Sequence, residues 1–135
     1  VKKLSQKKIK CNITAILTLD QVKEIYEVVD PNVNAIISIF AGRIADTGKD
    51  PLPIMIDAIK LCSTKKKVEI LWASTREVLN IIQANSINCH IITVPHDILK
   101  KINGIGKNLK QLSLETVKTF LTDANNSGYK IEVNK

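Results

Sequence analysis

Cys11-Asn12-Ile13-Thr14-Ala15-Ile16-Leu17 is the stretch on which the fold turns. Its apolar residues are nearly continuous and rich in β-branched side chains, as in a strand covered on both faces. Side chains alternate along a strand, so Asn12 and Thr14 share one face. A doubly wound sheet buries both faces under helices and offers two such polar residues little to do. The interior of a closed barrel, near the mouth at the carboxyl ends of its strands, gives them a polar ligand to meet. Each also has a plainer use, as a hydrogen-bond partner for a neighbouring strand.

Three further runs have the same character: Ala35 to Ala41 (AIISIFA), Val68 to Ala73 (VEILWA) and Cys89 to Val94 (CHIITV). Ser38 is a polar interruption in the second, comparable to Asn12 and Thr14. Amphipathic helices separate the runs. One carries Leu19, Val22, Ile25, Tyr26 and Val29 on a single face, with Thr18 and Gln21 at capping-box spacing. The next follows Asp50 as cap and Pro51 as first helical residue, and presents Ile54, Ala58, Ile59 and Cys62. A third is expected from Ser74, with box spacing to Glu77 and then Val78, Ile81 and Ile82. The last is expected after Ser113, with Leu114, Val117, Phe120, Leu121 and Ala124 facing inward and Gly128 ending it. Strand and helix alternate four times, which implies right-handed crossovers and a parallel sheet. Four such units fit half of a (β/α)8 barrel or a small doubly wound sheet, and the polar strand residues favour the barrel. No linker or low-complexity tract interrupts residues 1–135, so one domain is expected.

The 135 residues are 44% hydrophobic and 24% charged, ordinary for a globular chain, but only 4% aromatic. The core is therefore built from Ile, Leu and Val. Of twenty basic residues, only Arg43 and Arg76 are arginines. Each sits just past an apolar run, in AIISIFAGR and VEILWASTR. Arginine presents a rigid fork of donors matched to phosphate or carboxylate, whereas lysine is a mobile point charge. Two forks at the ends of two parallel strands suggest one anion site. The alternative is two ordinary surface arginines. Ser74 and free backbone N–H groups at the start of the following helix would complete an anion cradle. Asp46, in Gly42-Arg43-Ile44-Ala45-Asp46, is placed to orient an Arg fork or cap the loop, and Gly42 to permit a tight turn.

Other signals point to bland roles. The net charge of +7 comes from scattered lysines without interleaved aromatics, so a solvated surface is expected and not a nucleic-acid site. Cys11, Cys62 and Cys89 form no CxxC pair and lie in apolar segments, as reduced thiols of a cytoplasmic protein do. No metal-ligand cluster stands out. Gly104-Ile105-Gly106-Lys107 lacks the spacing of a phosphate-binding loop and reads as a turn. His90 and His96 lack triad partners, and Trp72 reads as core. No apolar run approaches a membrane span, and no signal peptide is expected, because the opening VKKLSQKKIK has no apolar h-region. The sequence opens with Val and what reads as a helix tail, VKKLSQKK, from which a start inside a larger protein is expected.

CNITAILT, SIFAGRIADTG, ILWASTREV and IITVPHDIL, in this order, closely resemble the carboxyl-terminal half of the transaldolase family, which includes the fructose-6-phosphate aldolases. The resemblance covers essentially the whole chain. It implies an α/β fold, a partial (β/α)8 TIM barrel whose four βα units correspond to the fifth to eighth. It implies Schiff-base transfer of a dihydroxyacetone unit between sugar phosphates, in the pentose phosphate pathway, without a cofactor. By the family pattern Arg43, Ser74 and Arg76 hold the phosphate. Asn12, Thr14 and Ser38 line the catalytic pocket, Thr14 positioning a water. The family's imine-forming Lys belongs to the fourth strand, ahead of Val1, and no Lys here replaces it. The isolated chain is therefore expected to be catalytically silent. Fructose-6-phosphate lyase chemistry, non-catalytic sugar-phosphate binding and half-barrel assembly are the alternatives. Neither nucleic acid nor membrane is an expected partner. A homo-oligomeric full-length parent is expected, and a half-barrel would self-associate through its open sheet edges.

Overall fold

The computed structural model describes residues 1–128. Two compact units divide the chain, Val1–Ile102 and a second beginning at Asn103. The first contains α1 (Lys2–Gln6), β1 (Cys11–Ile16), α2 (Leu19–Val28), β2 (Ala35–Ile39), α3 (Ala41–Ala45), α4 (Leu52–Cys62), β3 (Val68–Trp72), α5 (Leu79–Ser86), β4 (Ile91–Ile92) and α6 (His96–Leu99). The second carries α7 (Leu109–Asn126).

All strand pairs are parallel, in the order β1-β2-β3-β4. A doubly wound sheet reverses its strand order at a switch point. No reversal occurs here, so the sheet is an arc of a (β/α)8 barrel. The two faces divide by residue parity. Ala35, Ile37 and Ile39 of β2 join Val68, Ile70 and Trp72 of β3 in one core with Val22 and Ile25 of α2 and Met55, Ala58 and Cys62 of α4. Ile13 of β1 packs against that core. Ile36, Ser38, Glu69 and Leu71 occupy the alternate positions of β2 and β3, on the opposite face. Ile37, Ile39, Ile70 and Trp72 are wholly buried. Cutting such an isoleucine to alanine typically costs about 2–5 kcal/mol, through lost transfer energy and the cavity left behind.

Local chemistry sets the helix ends. Thr18 accepts from the Gln21 N–H, and the Gln21 side chain accepts from the Thr18 N–H, so the expected capping box forms. The Asp50 carboxylate accepts from the Leu52 N–H at 2.9 Å, and Pro51 opens α4. At the far end of α2, Lys65 donates to the Tyr26 and Val29 carbonyls and lies 4.2 Å from the Tyr26 ring centre. A cation there satisfies carbonyls that the helix leaves unpaired.

Three expectations need correction. The fourth strand was expected over Cys89 to Val94, but β4 is only Ile91–Ile92. At its amino end His90 Nδ1 accepts the Ile70 N–H at 3.1 Å, so a side chain takes a donor that a longer ladder would use. The last helix begins at Leu109, not after Ser113, because Asn108 caps the Lys110 and Gln111 N–H groups. Within its unit α7 buries no residue. The third helix begins at Leu79, not Ser74, for reasons that belong to the site below. Among the described residues no helix is long and apolar enough to cross a membrane.

Candidate phosphate site at the strand ends

Two loops at the carboxyl ends of β2 and β3 interlock. Past Ile39 the ladder runs on, with the Ala73 N–H donating to the Ile39 carbonyl at 2.8 Å and the Gly42 N–H to the Ala73 carbonyl at 3.4 Å. A Cβ on Gly42 would stand 1.6 Å from the Ser74 carbonyl oxygen and 3.1 Å from Arg76 Cγ. Gly42 lies inside the short helix α3 with an ordinary φ. The glycine is thus required by close approach of a second loop, not by the tight turn expected of it.

Ser74 takes φ +65°, a left-handed conformation uncommon for residues other than glycine. It therefore does not cap a helix. The Asn80 side chain does the comparable work: its Oδ1 accepts from the Arg76 N–H at 2.9 Å and the Glu77 N–H at 3.2 Å. This corrects the expected anion cradle, because those two amides are already bound. The Ser74 hydroxyl makes no hydrogen bond among the described residues and remains available. Thr75, 3% exposed, donates to the Thr93 carbonyl at 2.6 Å and ties the loop to the chain beyond β4. Sequence reasoning missed Asn80 and Thr75. The only signal for Asn80 was a polar residue four positions after Arg76, within an apolar helix.

Asp46 sits with both arginines. Arg76 grips its carboxylate along one edge, Nε lying 3.2 Å from each oxygen and Nη2 2.6 Å from Oδ2. These bonds, then the Arg76 charge and that of Arg43, hold the Asp46 carboxyl below its ordinary 3.8 against the opposing effect of burial. The same pair raises the Arg76 pKa. Both side chains are about half exposed, so water screens the pairing, and its role is geometric more than energetic. Arg43 lies over the Phe40 ring, 5.0 Å from its centre. The guanidinium edge built from Nη1 and Nη2 of Arg76 is left for another anion.

On β1 and β2 the Ser38 hydroxyl donates to Asn12 Oδ1 at 2.6 Å. Ser38 is buried and Asn12 exposed. The simple alternation expected of β1 fails further on. Ile13 pairs with Ile37 but Ile16 with Ile39, so three steps oppose two. Ala15 takes φ +62° in this bulge. Thr14 is exposed immediately before it.

Comparison with known proteins agrees with this architecture. The family model "Transaldolase/Fructose-6-phosphate aldolase" matches residues 1–134. A probable transaldolase of a Thermoanaerobacter species is 32% identical over 101 residues, which are 73% of this chain and 44% of that protein. One from Shouchella clausii is 28% identical over 127 residues, 93% of this chain and 54% of its own. One from Thermoplasma volcanium is 31% identical over 102 residues, 74% and 44% respectively. The chain spans about half the length of these relatives. It belongs to the transaldolase/fructose-6-phosphate aldolase family.

Proposed function

We propose that this chain supplies the phosphate-binding and water-positioning half of a Schiff-base site that moves a dihydroxyacetone unit between sugar phosphates. The observation that carries the reading is the interlock of Gly42 with Ser74, which sets Arg43 and Arg76 around Asp46 at the ends of two adjacent strands. Asp46 steadies one edge of the Arg76 fork and leaves the other to donate to two phosphate oxygens. The free Ser74 hydroxyl and Arg43 complete the set. Asn12, Ser38 and Thr14 belong to the sugar end: the Ser38–Asn12 bond fixes the amide, and Thr14 holds the water that exchanges protons with the reacting carbons.

Carbon–carbon cleavage through an imine needs a lysine amine of lowered pKa on the strand wall. None of β1 to β4 contains a lysine. The amine therefore comes from outside these 135 residues, and the chain alone binds substrate without cleaving it. Work in the cytoplasm, on intermediates of the pentose phosphate pathway, accords with this chemistry. Fructose-6-phosphate aldolase chemistry uses the same phosphate site and differs only in what accepts the carbanion.

Assembly is a second reading. β1 and β4 each pair on one side only within the sheet, and an unpaired parallel edge is a template for another strand. Complementary strands would complete the barrel, and a full-length parent would present further surface for a homo-oligomer.

Titration with fructose 6-phosphate and with fructose, followed by amide NMR, tests the phosphate assignment. Shifts at residues 42–46 and 74–77 with the phosphate ester alone are expected. Equal shifts with both sugars would overturn it.

A further inference from the structure

A concavity on the first unit shares Arg43 with the phosphate site. It has a volume of about 480 Å³ and is lined by Leu17, Thr18, Leu19, Arg43, Ile44, Thr47, Lys49 and Ile54. That is within the range of small-molecule sites, roughly 300–1,000 Å³. Its chemistry differs from that of a sugar site. Leu17, Leu19, Ile44 and Ile54 supply an apolar wall. Each of the two hydroxyls already makes one hydrogen bond, Thr18 accepting from the Gln21 N–H and Thr47 donating to the Ile44 carbonyl at 2.7 Å. A polyhydroxylated ligand would find few partners there and would lose its own hydration.

The charges at the rim all have one sign. Arg43 and Lys49 line the cavity, and no acidic residue does. Lys49 has no ion pair or hydrogen bond among the described residues. Leu17, at the mouth, is 40% exposed although it follows directly on a strand. An apolar hollow with an unpartnered Lys49 at its rim, and Arg43 beside it, matches one ligand class. We propose that this cavity binds a small amphiphilic monoanion, an aliphatic carboxylate of medium chain length. Its tail lies along Leu17, Leu19, Ile44 and Ile54, and its carboxylate meets Lys49 and Arg43. The proposal does not depend on the sugar-phosphate reading. Arg43 is common to both sites, whereas Lys49 belongs to this one alone, which makes Lys49 the discriminating residue.

The test uses the whole chain, with sodium octanoate as probe and 1-octanol as its uncharged counterpart, read by amide NMR. Octanoate is expected to shift Thr18, Ile44 and Thr47 saturably, and octanol to bind at least about fivefold more weakly, the loss of roughly one exposed charge interaction. Lys49→Ala removes an exposed, unpartnered side chain. It should weaken octanoate about fivefold while leaving the response to fructose 6-phosphate at residues 74–77 unchanged. Ile54→Asn should weaken octanoate and octanol together. Absence of saturable octanoate shifts, equal affinity for octanol, or unaltered octanoate binding by Lys49→Ala would each overturn the proposal. A loss of fructose 6-phosphate binding in the unsubstituted chain would count against the phosphate site and not against this one.

Discussion

The Cα of Gly42 lies so close to the backbone of Ser74 that a Cβ placed on it would stand 1.6 Å from the Ser74 carbonyl oxygen. Backbone is poorly able to yield, so Gly42→Ala must push the two loops apart. The expected cost is about 1–3 kcal/mol, as for other overpacked positions. Urea denaturation should show the lower midpoint. Amide NMR should show the change concentrated at residues 73–77, on a loop distant in sequence. A variant with native stability and unchanged Arg76 signals would mean that the loops are not locked there.

Arg76→Lys replaces the fork by a point charge. One ammonium cannot hold Asp46 along an edge and also present a second edge to phosphate. Binding of fructose 6-phosphate to the chain should fall by about an order of magnitude, while any interaction with fructose elsewhere on the chain stays as it was. Calorimetric or NMR titration distinguishes this from a fold defect, which would reduce both.

The Asp46 carboxyl titrates below its ordinary 3.8, chiefly because Arg76 hydrogen-bonds its charged form. A depressed folded-state pKa means that the pairing contributes fully above the unfolded carboxyl's pKa and is lost as pH falls through the folded value. Carbon-detected NMR titration of Asp46 should therefore show a midpoint below 3.8, moving up toward it in Arg76→Ala. An unchanged midpoint in that variant would assign the shift to something other than Arg76.

Much of this architecture is legible in the residues, and the exceptions have physical causes. Runs of Ile and Val announced the strands, because parallel strands are buried on both faces. Thr18 with Gln21, and Asp50 with Pro51, announced two helix starts through groups that satisfy orphan N–H donors. Ser74 misled for the same reason: its spacing to Glu77 fits a capping box, but its positive φ is imposed by the loop against Gly42, and no local rule reveals a tertiary contact. At the amino end of β4, His90 spends a side chain on a ladder donor, which pattern reading does not see. For the site, the two arginines stood out against eighteen lysines. Asp46 was recognisable as a partner, but Asn80 was hidden among helical apolar residues.

Cys62 lies 1% exposed in the core, and burial pushes its thiol up to about 11 despite the opposing charge of Lys65. Thiolate is the reactive form, so Cys62 should resist iodoacetamide near neutral pH in the folded chain and label fully in denaturant. Peptide mass mapping reads this directly. Rapid native labelling of Cys62 would show that the core between α4 and the sheet opens readily.

The central claim is that this chain holds the phosphate of a sugar phosphate but carries no amine able to form an imine with it. Borohydride reduction in the presence of fructose 6-phosphate, followed by intact-mass measurement, tests it most directly. The predicted result is an unmodified 135-residue chain under conditions where NMR shows the sugar phosphate bound at residues 74–77. A stable covalent adduct on a single lysine would contradict it, because that lysine would supply the electron sink that β1 to β4 lack.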